Sequence, residues 1–135
     1  MLRRIIAIIL GVVGGGIVVS LIQRISTNKY PMPEGLNLAD KQAYYDFVLS
    51  LPKEAFFIIL ASHFAGGFIA SIIASALSTS LKKQMGFIAG FVMLIFTLMT
   101  LAMIPHPAWM YVSDPITVIA AVILGAFVGS KIGKS

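Results

Sequence analysis

From Ala55 to Leu77 the chain reads AFFIILASHFAGGFIASIIASAL, a run of 23 residues with no charge and a single histidine. At about 1.5 Å of rise per residue, a helix of this length covers roughly 30 Å or slightly more, the thickness of a bilayer's hydrocarbon core. The segment is therefore read as a membrane span. Within it, Ala65-Gly66-Gly67 and Ala70-Ser71 put small residues on several helical faces. Neighbouring helices can approach its backbone from more than one side, which predicts the central helix of a bundle.

Composition agrees with that setting. Of 135 residues, 59% are hydrophobic and only 11% charged, too few polar groups to cover a soluble globule of this size. The absence of cysteine removes disulfides, thiolate metal sites and thiol redox chemistry together. The net charge is +5, but lysine and arginine sit at the ends of apolar runs. They do not form the basic, aromatic-studded face of a nucleic-acid binder.

In chain order, four spans are predicted at about residues 5–23, 54–80, 85–104 and 115–132, with an interfacial helix at about 38–51. This is an all-α, polytopic, four-transmembrane-helix bundle forming a single membrane domain. The run after Arg3-Arg4 is longer than a secretory apolar region, and Ser20-Leu21-Ile22-Gln23-Arg24 offers no small-x-small cleavage site, so it is read as an uncleaved span. Gly11 and Gly15 in span 1, Gly66, Gly67 and Ala70 in span 2, and Gly86 and Gly90 in span 3 are candidate helix-packing positions. In span 4, Ala121, Gly125, Gly129 and Gly133 recur every four residues. Between spans 1 and 2, Pro31 and Pro33 interrupt helix. Ala43, Tyr44, Phe47, Val48 and Leu51 then recur at helical spacing opposite Asp40, Lys41, Gln42, Asp46 and Ser50. Asn37 or Asp40 is the expected cap and Pro52 the stop. At about three turns this helix is too short to cross, so it lies at the interface, on lipid or on the mouth of the bundle. Pro105-His106-Pro107 ends span 3, Trp109 and Tyr111 suit the headgroup level, and Asp114-Pro115 reads as N-cap and first residue of span 4.

With both termini on the cytoplasmic side, that side holds Arg3, Arg4, Lys82, Lys83, Lys131 and Lys134. The other side holds Arg24, Lys29, Lys41 and Lys53 with all five acids, Glu34, Asp40, Asp46, Glu54 and Asp114. The bias of Lys and Arg favours this orientation, with the six inner cations meeting anionic headgroups and Lys131 snorkelling to them. A faint repeat runs the same way: Gly66-Gly67-Phe68-Ile69-Ala70-Ser71 resembles Gly125-Ala126-Phe127-Val128-Gly129-Ser130, and Pro31-Met32-Pro33 resembles Pro105-His106-Pro107.

Tyr30-Pro31-x-Pro33-x-Gly35, the acidic amphipathic stretch, Ser50-Leu51-Pro52, the Gly-rich second span and Ile104-Pro105-His106-Pro107-x-Trp109 together resemble a group of small, uncharacterised bacterial membrane proteins with four spans. The resemblance covers nearly the whole chain. It implies the bacterial inner membrane as the setting and implies no catalytic residue, the group having no established activity. Those proteins often carry an aromatic residue near position 63, where this chain has His63.

His63 is the one strongly polar titratable side chain inside a predicted span, a functional candidate by default. Ser20 and Gln23 in span 1, and Thr97 and Thr100 in span 3, fall at comparable depth. These five form the candidate polar site, in which His63 is read first as a neutral imidazole hydrogen-bonded between helices, with a proton relay or ligand contact as the alternative. His106 is expected to be solvated between its prolines. Nothing in the spacing resembles a metal-ligand pair on one helix, and the glycines at 14–16 lack the Lys-Ser/Thr of a phosphate cradle, so no metal or cofactor is expected. Ser62 and His63 point to different helix faces, which argues against a nucleophilic dyad and against an enzyme. A proton-coupled exporter needs a membrane-embedded carboxylate, and no Asp or Glu falls within the predicted spans beyond Glu54 at the edge of the second. Two functions remain. One is a non-catalytic accessory or assembly subunit, homo-oligomeric or part of a larger membrane complex, packing through surplus small-xxx-small faces. The alternative is a transporter or channel component with an outward-facing polar crevice around His63.

Overall fold

A computed structural model describes residues 1–132 as five helices. They are α1 (Leu2–Lys29), α2 (Lys41–Ser50), α3 (Lys53–Leu77), α4 (Lys82–Met103) and α5 (Met110–Ile132). All except α2 are long and apolar enough to cross a membrane. The protein is an all-α, multi-pass membrane protein. Gly133 and Lys134, named above, lie outside the described residues.

The centre is α3, which packs on α1, α4 and α5, while among the described residues α1 and α5 do not touch. Glycine sets how closely these helices approach. A β-carbon built on Gly11 would stand 2.5 Å from the Ala70 carbonyl oxygen, and one on Gly15 would stand 2.5 Å from that of Gly66. On the opposite side, Gly125 and Gly129 would each place one 2.5 Å from a carbonyl oxygen of α3, those of Phe68 and Ile72. Gly86 and Gly90 meet Ser75 and Ser71, and Gly67 faces Val118. Ala70 and Ala121 are buried without exposure. Where no apolar solvent difference drives association, such close backbone contact supplies dispersion contacts along the whole helix.

The termini end of the bundle is tied by Arg3, whose Nε donates to the Leu77 carbonyl oxygen at 3.0 Å, and by Arg4, whose Nη2 donates to Ser80 Oγ at 2.6 Å. Both cations sit at the carboxyl end of α3, where the helix dipole favours them. Lys83 Nζ stands 4.1 Å over the Phe127 ring.

At the other end α2 begins where its cap predicts. The Asp40 carboxylate accepts from the Gln42 and Ala43 amides at 3.1 and 3.2 Å. The helix is shorter than the predicted 38–51 at both ends: residues 37–39 form a turn, Asn37 Oδ1 accepting from the Ala39 amide at 3.0 Å, and Leu51 turns extended before Pro52. Gly35 carries the positive φ of the preceding turn, +81°. Val48 joins Phe56, Leu101 and Met110 in one core cluster, with Tyr44, Phe47 and Leu51 packed on it. The apolar face of α2 thus lies on the mouth of the bundle and not on lipid.

Two span boundaries differ in a way that matters below. The first helix continues past 23 to Lys29, because polar residues extend a helix into water until Pro31 stops it. The fifth begins at Met110 and not at 115. Trp109 and Met110 nucleate it early through the Met110 amide, which donates to the Pro107 carbonyl oxygen at 2.9 Å, and Met110 is fully buried against Phe56 and Leu101. Asp114 is therefore not an N-cap. It and Pro115 lie inside the helix.

Candidate functional site

Placing Asp114 one turn into α5 turns its carboxylate inward onto α3. His63, roughly 15 Å along α3 from Lys53 by helical rise, meets it there. His63 Nδ1 and Asp114 Oδ2 are 2.7 Å apart, with side-chain exposures of 5% and 0%. On the other edge of the ring, Nε2 stands 3.4 Å from Gln23 Nε2 of α1. The Gln23 amide can only donate through that nitrogen, so Nε2 accepts, and the neutral ring carries its hydrogen on Nδ1 and donates it to Asp114. Gln23 also donates to Ser62 Oγ at 3.2 Å, and Ser62 in turn donates to the Ile59 carbonyl oxygen at 2.6 Å. The Ser62 hydroxyl is thus engaged as a brace and aims at nothing reactive. Asp114 Oδ1 is buried with no hydrogen-bond partner.

His63 forms part of the wall of a cleft of about 280 Å³ between α1, α3 and α4, to which Gln23, Thr97 and Thr100 also contribute. Above it, beneath α2, lies a second space of about 250 Å³ bounded by Ser26, Thr27, Tyr30, Tyr44 and His106, and again by Gln23 and Thr100. Gln23, Thr100 and Ile104 border both, so the two are successive parts of one passage from the α2 end towards the imidazole. The extension of α1 to Lys29 builds the outer wall.

Of the five residues singled out by depth, the structure brings together four. His63, Gln23, Thr97 and Thr100 share the cleft, although Thr100 Oγ1 spends its hydrogen on the Phe96 carbonyl oxygen at 2.9 Å. Ser20 is exposed on the outside of α1 and is absent from this wall. The residue missed was Asp114. Its only sequence signal was the pair Asp-Pro, which helix-start chemistry explains equally well.

His106, expected to be solvated, is buried. Its Nδ1 donates to the Ile104 carbonyl oxygen at 2.7 Å, and its ring packs edge-on to Phe56 and Tyr111. Burial lowers its pKa below the ordinary 6.5; the Ile104 hydrogen bond and the charge of Asp114 oppose that shift, and His63 adds to it. Among the described residues no group of three His, Asp or Glu stands close enough together to hold a metal ion.

No family model, curated protein or solved structure matches the chain.

Proposed function

We propose that this protein is a proton-binding component of a membrane transporter, with His63 and Asp114 holding an exchangeable proton at the wall of an outward-facing cleft. The observation that carries the reading is the 2.7 Å contact between two buried ionisable side chains on different membrane helices. Ionisable groups are costly inside a bilayer and are kept where they bind or relay charge. With one proton between them the pair has a net charge of −1. A second proton, taken at Nε2 from the cleft, makes an imidazolium–carboxylate pair with net charge zero. One unit of charge at a low-dielectric helix contact changes the packing energy of α3 on α5 substantially, which is the coupling a transporter needs. The residues bordering the passage include no lysine, arginine or glutamate. With hydroxyls, an amide and aromatic rings on its walls, the cleft suits a small neutral or cationic solute.

The accessory-subunit reading rested on surplus small-residue faces. Gly11, Gly15, Gly66, Gly67, Gly86, Gly90, Gly125 and Gly129 each meet another helix of the same chain, which leaves little surplus for a partner. Orientation follows the cation count, six on the termini side against four, and the bacterial inner membrane follows the family resemblance. The termini side, with Arg3, Arg4, Lys82, Lys83 and Lys131, then faces anionic cytoplasmic headgroups.

Histidine-labelled protein in lipid, with His106→Gln so that only His63 reports, tests the reading by ¹⁵N NMR. Acidification should add a proton at Nε2. Asp114→Asn should change the Nδ1 signal, because the carboxylate that accepts its hydrogen is gone. An imposed pH gradient should also decay faster in proteoliposomes of the wild type than in those of Asp114→Asn. A His63 spectrum indifferent to Asp114→Asn, or equal decay rates, overturns it.

A further inference from the structure

We infer that the face of α3 carrying Ser71 and Ser75 is the closed inner half of the same path, opened to water and protons from the termini side when the His63–Asp114 pair is fully protonated; this rests on the proton-binding reading above.

Three buried side-chain polar atoms lack a hydrogen-bond partner among the described residues: Asp114 Oδ1, Ser71 Oγ and Ser75 Oγ. All three lie along one seam. His63, Gly67, Ser71 and Ser75 recur every four residues on α3, hence on one face. Asp114 marks the head of that seam against His63, and Ser75 lies about 18 Å further towards the termini end by helical rise. Both serines are fully buried.

Their orphaned state is not the ordinary condition of a serine in a membrane helix. Such hydroxyls normally bond a carbonyl one turn back, and several others in this bundle do. Ser62 bonds Ile59, Ser78 bonds Ala74 at 2.8 Å, Ser113 bonds Trp109 and Ser130 bonds Phe127 at 2.8 Å. Ser71 and Ser75 decline that option. They point at α4, where a β-carbon on Gly90 would stand 2.6 Å from Ser71 Oγ and one on Gly86 would collide with Ser75 Oγ. From α5, Gly125 and Gly129 close on the same two residues. Alanine would fill these sites without burying an unpaired hydroxyl, so the oxygen atoms are explained by a second arrangement in which they are hydrated.

The seam is built to open. At the level of Ser71 and Ser75 the facing residues of α4 and α5 are glycines, Gly86, Gly90, Gly125 and Gly129, so an outward shift of either helix frees the serines once Val118 and Val122, which pack on Gly67, move with α5. The opened seam would present the hydroxyls of Ser71 and Ser75 and backbone carbonyls beside Val122 and Ala126, with no fixed charge, which suits a file of water carrying protons and no ion. His63 borders the outer cleft and heads the serine face of α3, so the two halves meet at the pair, as alternating access requires.

Because the chain has no cysteine, accessibility can be read directly. Ser71→Cys, Ser75→Cys and, as the control facing α1, Ala74→Cys are treated from the termini side of membrane vesicles with a small cationic methanethiosulfonate. With Asp114→Asn added to remove the charge of the pair, the two seam cysteines should react about tenfold faster than with Asp114 intact, and faster than Ala74→Cys. Inert seam cysteines in both backgrounds, beside a reactive Thr79→Cys, overturn the inference, as does labelling that ignores Asp114→Asn. Should the cysteines disturb folding, Ser71→Ala with Ser75→Ala preserves the packing. That variant should slow pH-gradient decay in proteoliposomes about tenfold while leaving His63 protonation by NMR unchanged; unchanged decay overturns the inference. A His63 that still responds to Asp114 while the seam stays closed removes the inner path alone and spares the proton-binding site.

Discussion

Asp114 keeps its carboxylate buried because His63 meets one oxygen, and that dependence is measurable. Asp114→Asn leaves an acceptor for the Nδ1 hydrogen and should cost about 1 kcal/mol, while Asp114→Ala orphans that hydrogen inside the bundle and should cost about 1–3 kcal/mol. In a double-mutant cycle with His63→Gln, detergent unfolding should return a coupling of about 0.6–1.7 kcal/mol, the range of polar contacts between membrane helices. Additive losses would mean that the two side chains merely lie close. His106 gives a prediction of opposite origin. Burial lowers its pKa, so the unfolded chain takes up a proton more readily than the folded one. Its contribution to stability is whole above about pH 6.5 and is lost as pH falls below that value. His106→Gln should flatten the decline of Tm between about pH 6.5 and 5; an unchanged slope would show that His106 is not the group being protonated.

At the level of helices, the glycines divide into those that are touched and those that are not. Gly125→Leu must displace the Phe68 carbonyl and the Ser71 side chain, and should cost about 3 kcal/mol or more as severe overpacking. Its neighbour Leu124 is 53% exposed, facing a solvent as apolar as itself, so Leu124→Ala should cost less than about 1 kcal/mol. In α1, Gly16 has nothing within 4 Å of its would-be β-carbon, so Gly16→Ala should gain up to about 1 kcal/mol of helix propensity. Gly15→Ala, one residue away and pressed on Gly66, should lose stability. Thermal unfolding of the four variants in one detergent checks the order. The touched glycines were legible in sequence because a four-residue period of small side chains has few meanings in lipid. The same holds for α2, whose cap and apolar spacing are local properties. The start of α5 was not legible. Asp-Pro satisfies helix-start chemistry locally, and what overrides it is Met110 filling a cluster with Phe56 and Leu101, together with a carboxylate pairing with a histidine 51 residues earlier. Such contacts have no local signature, and they bury completely a carboxylate that the sequence places at a helix cap.

For the whole molecule, the direction in which the cleft opens decides what the proposed proton-binding pair can serve. The α2 end holds the passage and the termini end holds the arginines bonded to Leu77 and Ser80. Lys and Arg are retained on the cytoplasmic side during insertion, whereas acids contribute little. The six-to-four excess in the sequence is the ground for the proposed orientation, termini end inside and passage outside. Cysteine-free sequence makes single-cysteine labelling unambiguous. An impermeant maleimide added to intact cells should modify Asn37→Cys, in the loop before α2, and should reach Thr79→Cys, in the turn between α3 and α4, only after permeabilisation. The reverse pattern would turn the cleft to the cytoplasm. Protons would then arrive at His63 from inside, and the serine seam would have to open outward instead.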